Sequence, residues 1–197
     1  MAKASGWTRT TNARRQAPTE RGYSRALERA VTSFESGIRT RTKEYGAFFD
    51  RSGQIVQEVT SNSVNHINVS RGLQTQDLIF THNHPYRAGS PLEIGGTLSR
   101  GDMLSAIRHN EAEARAVTTY YTFSIKRPAS GWGATEEEVR SAYRSIQNRM
   151  TRYVRSYYRQ IRTEDAKRRA QTVYWHMVNK EVAKRFGWIY TRKRNEL

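Results

Sequence analysis

Cysteine is absent from the 197 residues. Its absence removes disulfide frameworks, thiolate zinc sites and cysteine nucleophiles, leaves the redox compartment undetermined, and requires any metal to be held by His, Asp and Glu. Long apolar runs are missing as well. No stretch approaches the roughly 18 apolar residues of a spanning helix, and the N-terminal run MAKASGWTRTTNARRQ has no apolar signal core, so a soluble chain without secretory signal is expected. Acids are scarce, at 18 Asp and Glu against 34 Lys and Arg, a formal charge of +16. Residues 1–43, 44–134 and 135–197 carry +7, 0 and +9. An electroneutral middle between two basic segments suits a globular core whose arms meet a polyanion, DNA or RNA first and an anionic membrane surface second. The same charge also fits a surface kept basic for solubility.

The length and an apolar content of 36% suit one compact domain with something attached. Residues 1–19 hold no acid and no helical or strand period, and read as a disordered basic tail. From Pro18 to Ile38, Tyr23, Leu27, Ala30, Val31 and Phe34 form one apolar helical face ending at Gly37. Strands over 44–50 and 54–60 flank a turn at Asp50 to Gly53, and a third runs over 77–82 until Pro85 stops it. Ser99 caps a helix over 100–113, and residues 114–127 form one or two further strands. Thr135 and Glu138 form a capping box for a helix over 135–162 whose stripe is Val139, Tyr143, Ile146, Met150, Tyr153, Tyr157 and Ile161. A last helix over 164–186 ends before Gly187 and leaves a basic tail, TRKRNEL. The predicted class is α/β, a mixed sheet flanked by helices. Its core occupies 20–134, and 135–197 form a basic helical extension.

The sharpest chemical signal is Thr81-His82-Asn83-His84-Pro85 at the end of an apolar strand. Histidines at i and i+2 of a strand face one way, so two imidazoles reach one ion, and a strand end opening into a Gly-rich loop is where sites are built. Ser99-Arg100-Gly101-Asp102 has two readings. It is a helix N-cap with an acid in the first turn, and Asp102 is also a carboxylate on a rigid element that can supply a third ligand. His66, His109 and His176 carry no such context and read as structural or exposed.

His82-x-His84-Pro85 followed by Ser99-x-x-Asp102, with a glutamate upstream at the start of a hairpin, resembles the JAMM/MPN (JAB) zinc metalloprotease superfamily. The HNHP wording is most similar to its RadC-like and phage-encoded branch. The resemblance covers about residues 44–127. It implies a layout like that of cytidine deaminases, one zinc ion per chain on His82, His84 and Asp102, Glu44 as general base and Ser99 at the oxyanion. It further implies hydrolysis of a peptide or isopeptide bond in a protein substrate, such as one with a ubiquitin-like or peptide tail, inside a bacterial or phage-infected cytoplasm or in a virion. Two alternatives stay open: Ser90 and Glu93 form a rival Ser-x-x-acid pair in poor helix material, and Glu58 on the neighbouring strand competes with Glu44.

In the C-terminal segment Arg144, Arg152, Arg155, Arg159, Arg162, Lys167, Arg168 and Arg169 are candidate phosphate contacts, salt-sensitive and without a base code. They keep two other functions in view, a non-catalytic nucleic-acid-binding or virion structural protein and a metal-dependent nuclease.

Overall fold

The computed structural model describes residues 22–60, 67, 73–85 and 96–196, apart from the side chains of 156–158, 164, 165, 168 and 169. The expected tail over 1–19 lies outside the described residues. The element order is α1 (Arg25–Ile38), β1 (Tyr45–Phe49), β2 (Ile55–Thr60), β3 (Ile79–Asn83), α2 (Arg100–Arg108), β4 (Glu113–Val117), β5 (Tyr121–Lys126), α3 (Glu136–Tyr158), α4 (Glu164–Phe186) and β6 (Ile189–Arg194). The strands form one sheet in the order β2-β1-β3-β4-β5-β6. Only β3 and β4 run parallel, so the sheet is mixed and the class is α/β. Among the described residues no helix is long and apolar enough to cross a membrane.

Local chemistry sets the element ends. Helix α1 begins later than its apolar period suggests, because Ser24 accepts a hydrogen bond from the Leu27 N–H at 3.1 Å and caps it there. Gly37 does not end it; the helix runs one residue further and buries Ile38. In the β1–β2 turn the Asp50 carboxylate accepts from the N–H groups of Ser52 and Gln54, and Gly53 takes φ 93°. Helix α2 stops at Arg108 because Asn110 turns to φ 52°, which leaves Ala112 in the connection to β4. The expected capping box of α3 forms, with the Glu138 carboxylate accepting from the Thr135 N–H at 2.8 Å. Gly187 ends α4 at φ 72°.

The C-terminal segment departs furthest from expectation. Residues 189–194, read in part as a basic tail, form β6 and pair antiparallel with β5 along its whole length. Ile189, Tyr190 and Thr191 are good strand residues, and β5 offers an open edge for them to complete. Residues 135–197 therefore do more than extend a finished core. Val139, Tyr143, Ile146, Val178, Val182 and Trp188 share the largest apolar cluster with Leu98, Met103, Ala114, Ala116, Phe123 and Ile125. The stripe of α3 is buried from Val139 to Ile146, but Tyr153 is 78% exposed, so the packing expected of it is broken there; the Tyr157 side chain lies outside the described residues.

Pairing and alternation divide the sheet into two faces. Phe48, Phe80, His82, Ala114, Ala116, Phe123 and Ile125 share one face; α2, α3 and α4 cover it at β4 and β5, and Val59, Ile67, Leu73 and Leu78 pack on Phe48 and Phe80. Ala47, Phe49, Ile79 and Thr81 share the other, where α1 packs. That second face becomes charged at β4. The buried Arg115 guanidinium reaches Glu113 at 2.8 Å, Glu28 at 3.0 Å and Glu35 at 3.8 Å, and Glu35 accepts from the Thr81 hydroxyl at 2.9 Å.

Burial outweighs Arg115 and Thr81 and pushes the Glu35 carboxyl from 4.5 up to about 7, with Glu113 and Glu28 adding to the rise. A folded-state value above the unfolded one means that stability is complete below about 4.5 and falls as pH rises through about 7, by about 3 kcal/mol at most. Urea unfolding at a series of pH values should therefore show Glu35→Gln more stable than wild type at pH 8, with the gap closing near pH 4. Parallel profiles would contradict this.

Candidate metal centre

Three side chains from two elements meet at the carboxyl end of β3. His82 lies within the strand and is 2% exposed. His84 follows it, and its N–H donates to the Val117 carbonyl at 2.9 Å, so ladder geometry continues to this residue. Both rings therefore lie on the face beneath α2, whose first turn carries Asp102. The two Nε2 atoms are 3.0 Å apart, and they lie 3.5 Å and 3.6 Å from the Asp102 oxygens Oδ1 and Oδ2. Tetrahedral donors about 2.1 Å from a common centre are about 3.4 Å apart. The three groups thus fit a small divalent ion, and among the described residues they are the one such His and carboxylate group.

Hydrogen bonds orient the ligands. The His84 Nδ1 lies 2.9 Å from the Gly96 carbonyl, so it carries the proton and leaves Nε2 for the ion. His82 is held by stacking, with its ring 4.9 Å from that of Phe80 at an 11° tilt. The two readings of the Ser99–Asp102 segment are both correct. Asp102 Oδ2 accepts from the Ser99 N–H at 2.6 Å, and Ser99 Oγ accepts from the Asp102 N–H at 3.1 Å. The same carboxylate faces the imidazoles. Burial opposes its charge, yet the two histidines hold its pKa well below 3.8. For His84, burial is outweighed by Asp102, with help from the Gly96 carbonyl and Glu44, and the value rises to about 9.

Glu44 precedes β1 and is 7% exposed. The β1–β3 register pairs Gly46, two residues after Glu44, with His82. Glu58 pairs with Ala47 and so projects from the opposite face, where its carboxylate takes the Tyr45 hydroxyl. Of the two glutamates, Glu58 is therefore turned away from the face that carries His82. The rival pair Ser90 and Glu93 lies outside the described residues, as does His66. His109 meets Ser105 and Glu111, and His176 meets the Tyr190 hydroxyl, both apart from this cluster. Arg144, Arg152, Arg155, Arg159 and Arg162 are exposed and Lys167 is half-buried, while the Arg168 and Arg169 side chains lie outside the described residues.

Two residues that the sequence did not single out complete the arrangement. Asn83, between the histidines, projects from the other face and accepts from the Tyr45 N–H at 2.7 Å while donating to the Arg41 and Lys43 carbonyls. It ties down the segment that carries Glu44. Its signal was strand alternation itself, which sends an amide between two ligands to the opposite face. Gly46 permits the approach of the strands, since a Cβ there would lie 2.6 Å from the Thr81 carbonyl and 2.8 Å from the His82 Cβ. A glycine inside an apolar strand is the sign of such an approach.

Two outcomes test this geometry. Elemental analysis after dialysis against zinc should find one ion per wild-type chain and none in His82→Ala/His84→Ala; equal content in both would refute the site. Gly46→Ala should lower stability by about 1–3 kcal/mol in chemical unfolding, as expected for a side chain forced into a packed contact, and no loss would mean that β1 and β3 separate freely. Compared with known proteins, the chain matches no protein-family model, no curated sequence and no solved structure.

Proposed function

We propose that the protein is a zinc-dependent hydrolase of the JAMM/MPN type that cleaves a peptide or isopeptide bond. The observation that carries this reading is the convergence of His82, His84 and Asp102, with the buried Glu44 two residues before Gly46, the β1 residue paired with His82. A mixed sheet with α1 on one face, and ligands from a strand end and the next helix start, also supports a JAMM/MPN-like layout. When bound, a zinc ion supplies Lewis acidity and brings the pKa of a water to about 7.

The chain's own groups supply the rest. Glu44 is the base that accepts the proton of the attacking water and the acid that delivers it to the leaving amine, as general acid–base chemistry requires. Its carboxylate acts from a backbone anchored by Asn83 at three points, so it works in a fixed geometry. Ser99 Oγ already accepts the Asp102 N–H, and its hydroxyl proton is left to donate to the substrate carbonyl oxygen as negative charge develops there. No covalent adduct is required.

Glu44→Gln separates the reaction from the site. Digestion of a proteome-derived peptide library, read by mass spectrometry, should give cleavage by the zinc-loaded wild type and a loss of about 10²–10⁴-fold in the variant, with zinc content unchanged. Equal cleavage by both proteins would remove Glu44 from the chemistry. Zinc in both with cleavage in neither would assign the centre a structural role.

A further inference from the structure

Helix α3 has a second side that neither the core nor the metal centre uses. From Val139 to Thr163 the chain has seven arginines, no lysine and no acid. Burial sorts the first turns: Val139, Ala142, Tyr143 and Ile146 are buried, whereas Arg140, Arg144, Asn148, Arg152 and Arg155 are exposed. The Arg159 N–H still donates to the Arg155 carbonyl, so helical geometry persists to that residue. At about 100° per residue, Arg144, Arg152, Arg155 and Arg159 lie within about 80° of one another on the side opposite the buried stripe, along a ridge about 22 Å long.

Five other arginines are matched with acids. Arg108 and Arg140 pair with Glu136, Arg149 with Glu181, Arg127 with Asp77, and Arg115 with three glutamates. Among the described residues no carboxylate lies within salt-bridge distance of any of the four ridge arginines. Beside the ridge Ser141, Ser145 and Asn148 are small, polar and exposed, and the exposed Tyr153 lies about 140° around the helix from the middle of the ridge. A membrane-binding helix needs an apolar face to insert, and a protein interface needs an apolar centre. Among the described residues this ridge has neither. Exclusive use of arginine suits phosphate, which its planar fork grips in two places, and a linear row of cations suits a linear polyanion.

We propose that Arg144, Arg152, Arg155 and Arg159 form a sequence-independent binding surface for the phosphate backbone of a nucleic-acid duplex. The surface is independent of the metal-centre chemistry. A duplex presents one phosphate charge per about 1.7 Å of axis, so each arginine of the ridge finds partners without a fixed register. Four phosphate contacts contribute about −3.6 to the slope of log affinity against log salt, which is about 150-fold in affinity between about 50 and 200 mM.

Fluorescence anisotropy with a labelled random-sequence DNA duplex, over a salt series, tests the surface. The combined Arg144→Gln, Arg152→Gln, Arg155→Gln and Arg159→Gln protein should lose about 3.6 from the wild-type slope. The four corresponding Arg→Lys changes should keep most of it. The substitutions lie on a solvent face, so both proteins should melt with the wild type, and the Lys version controls for any that does not. His82→Ala/His84→Ala should bind the duplex as wild type does. An unchanged slope in the Gln variant, loss of binding in the His variant, or displacement of the duplex by phosphatidylserine-containing vesicles at equal charge would each overturn the proposal.

Discussion

Strand β1 lies so close to β3 at Gly46 that a single methyl group would collide with both the Thr81 carbonyl and His82. Much of the candidate site descends from that contact. It locks one register, and a slip by one residue would turn every side chain of β1 to the other face. In the observed register Gly46 faces His82, and Glu58, paired with Ala47, projects from the other face. A pairing of strands, made of backbone hydrogen bonds and the absence of one side chain, thus turns one of two similar carboxylates away from His82.

Alternation along β3 gives its two sides different work. His82 and His84 face α2, while Thr81 and Asn83 face the α1 side and hold surrounding structure in place, Thr81 through Glu35 and Asn83 through the backbone of 41–45. Asp102 combines roles in a similar way. Its carboxylate closes the first turn of α2 and faces two imidazoles, so the bond that starts the helix also aims the ligand. A group fixed by its own backbone loses little freedom when it takes up an ion, which favours a site formed in advance.

The sheet is covered unevenly. Under α2, α3 and α4 it is apolar and continuous; beside α1 it carries an arginine among three glutamates. The basic C-terminal segment belongs to this economy of faces. The inner side of α3 and the strand β6 complete the core, and the outer side of α3 keeps its arginines in solvent. One helix thereby joins the core to a surface of high positive charge.

Local patterns made much of this legible in advance. Apolar periods and capping residues announced α1 to α4, turn residues announced the β1–β2 hairpin, and His82-x-His84 with Ser99-x-x-Asp102 announced the three groups that meet, because such signals act within a few neighbouring residues. The strand character of 189–194 was hidden by its arginines and lysine, since an edge strand gains its partner from β5, more than sixty residues away. Alternation gave the side of the strand on which Asn83 projects, but its partners stayed hidden for the same reason, as they lie about forty residues away along the chain. The sequence by itself determined the kinds of groups present and the elements that carry them. Only tertiary structure decided which groups meet, because strand register and helix packing are set by contacts that no local run of residues contains.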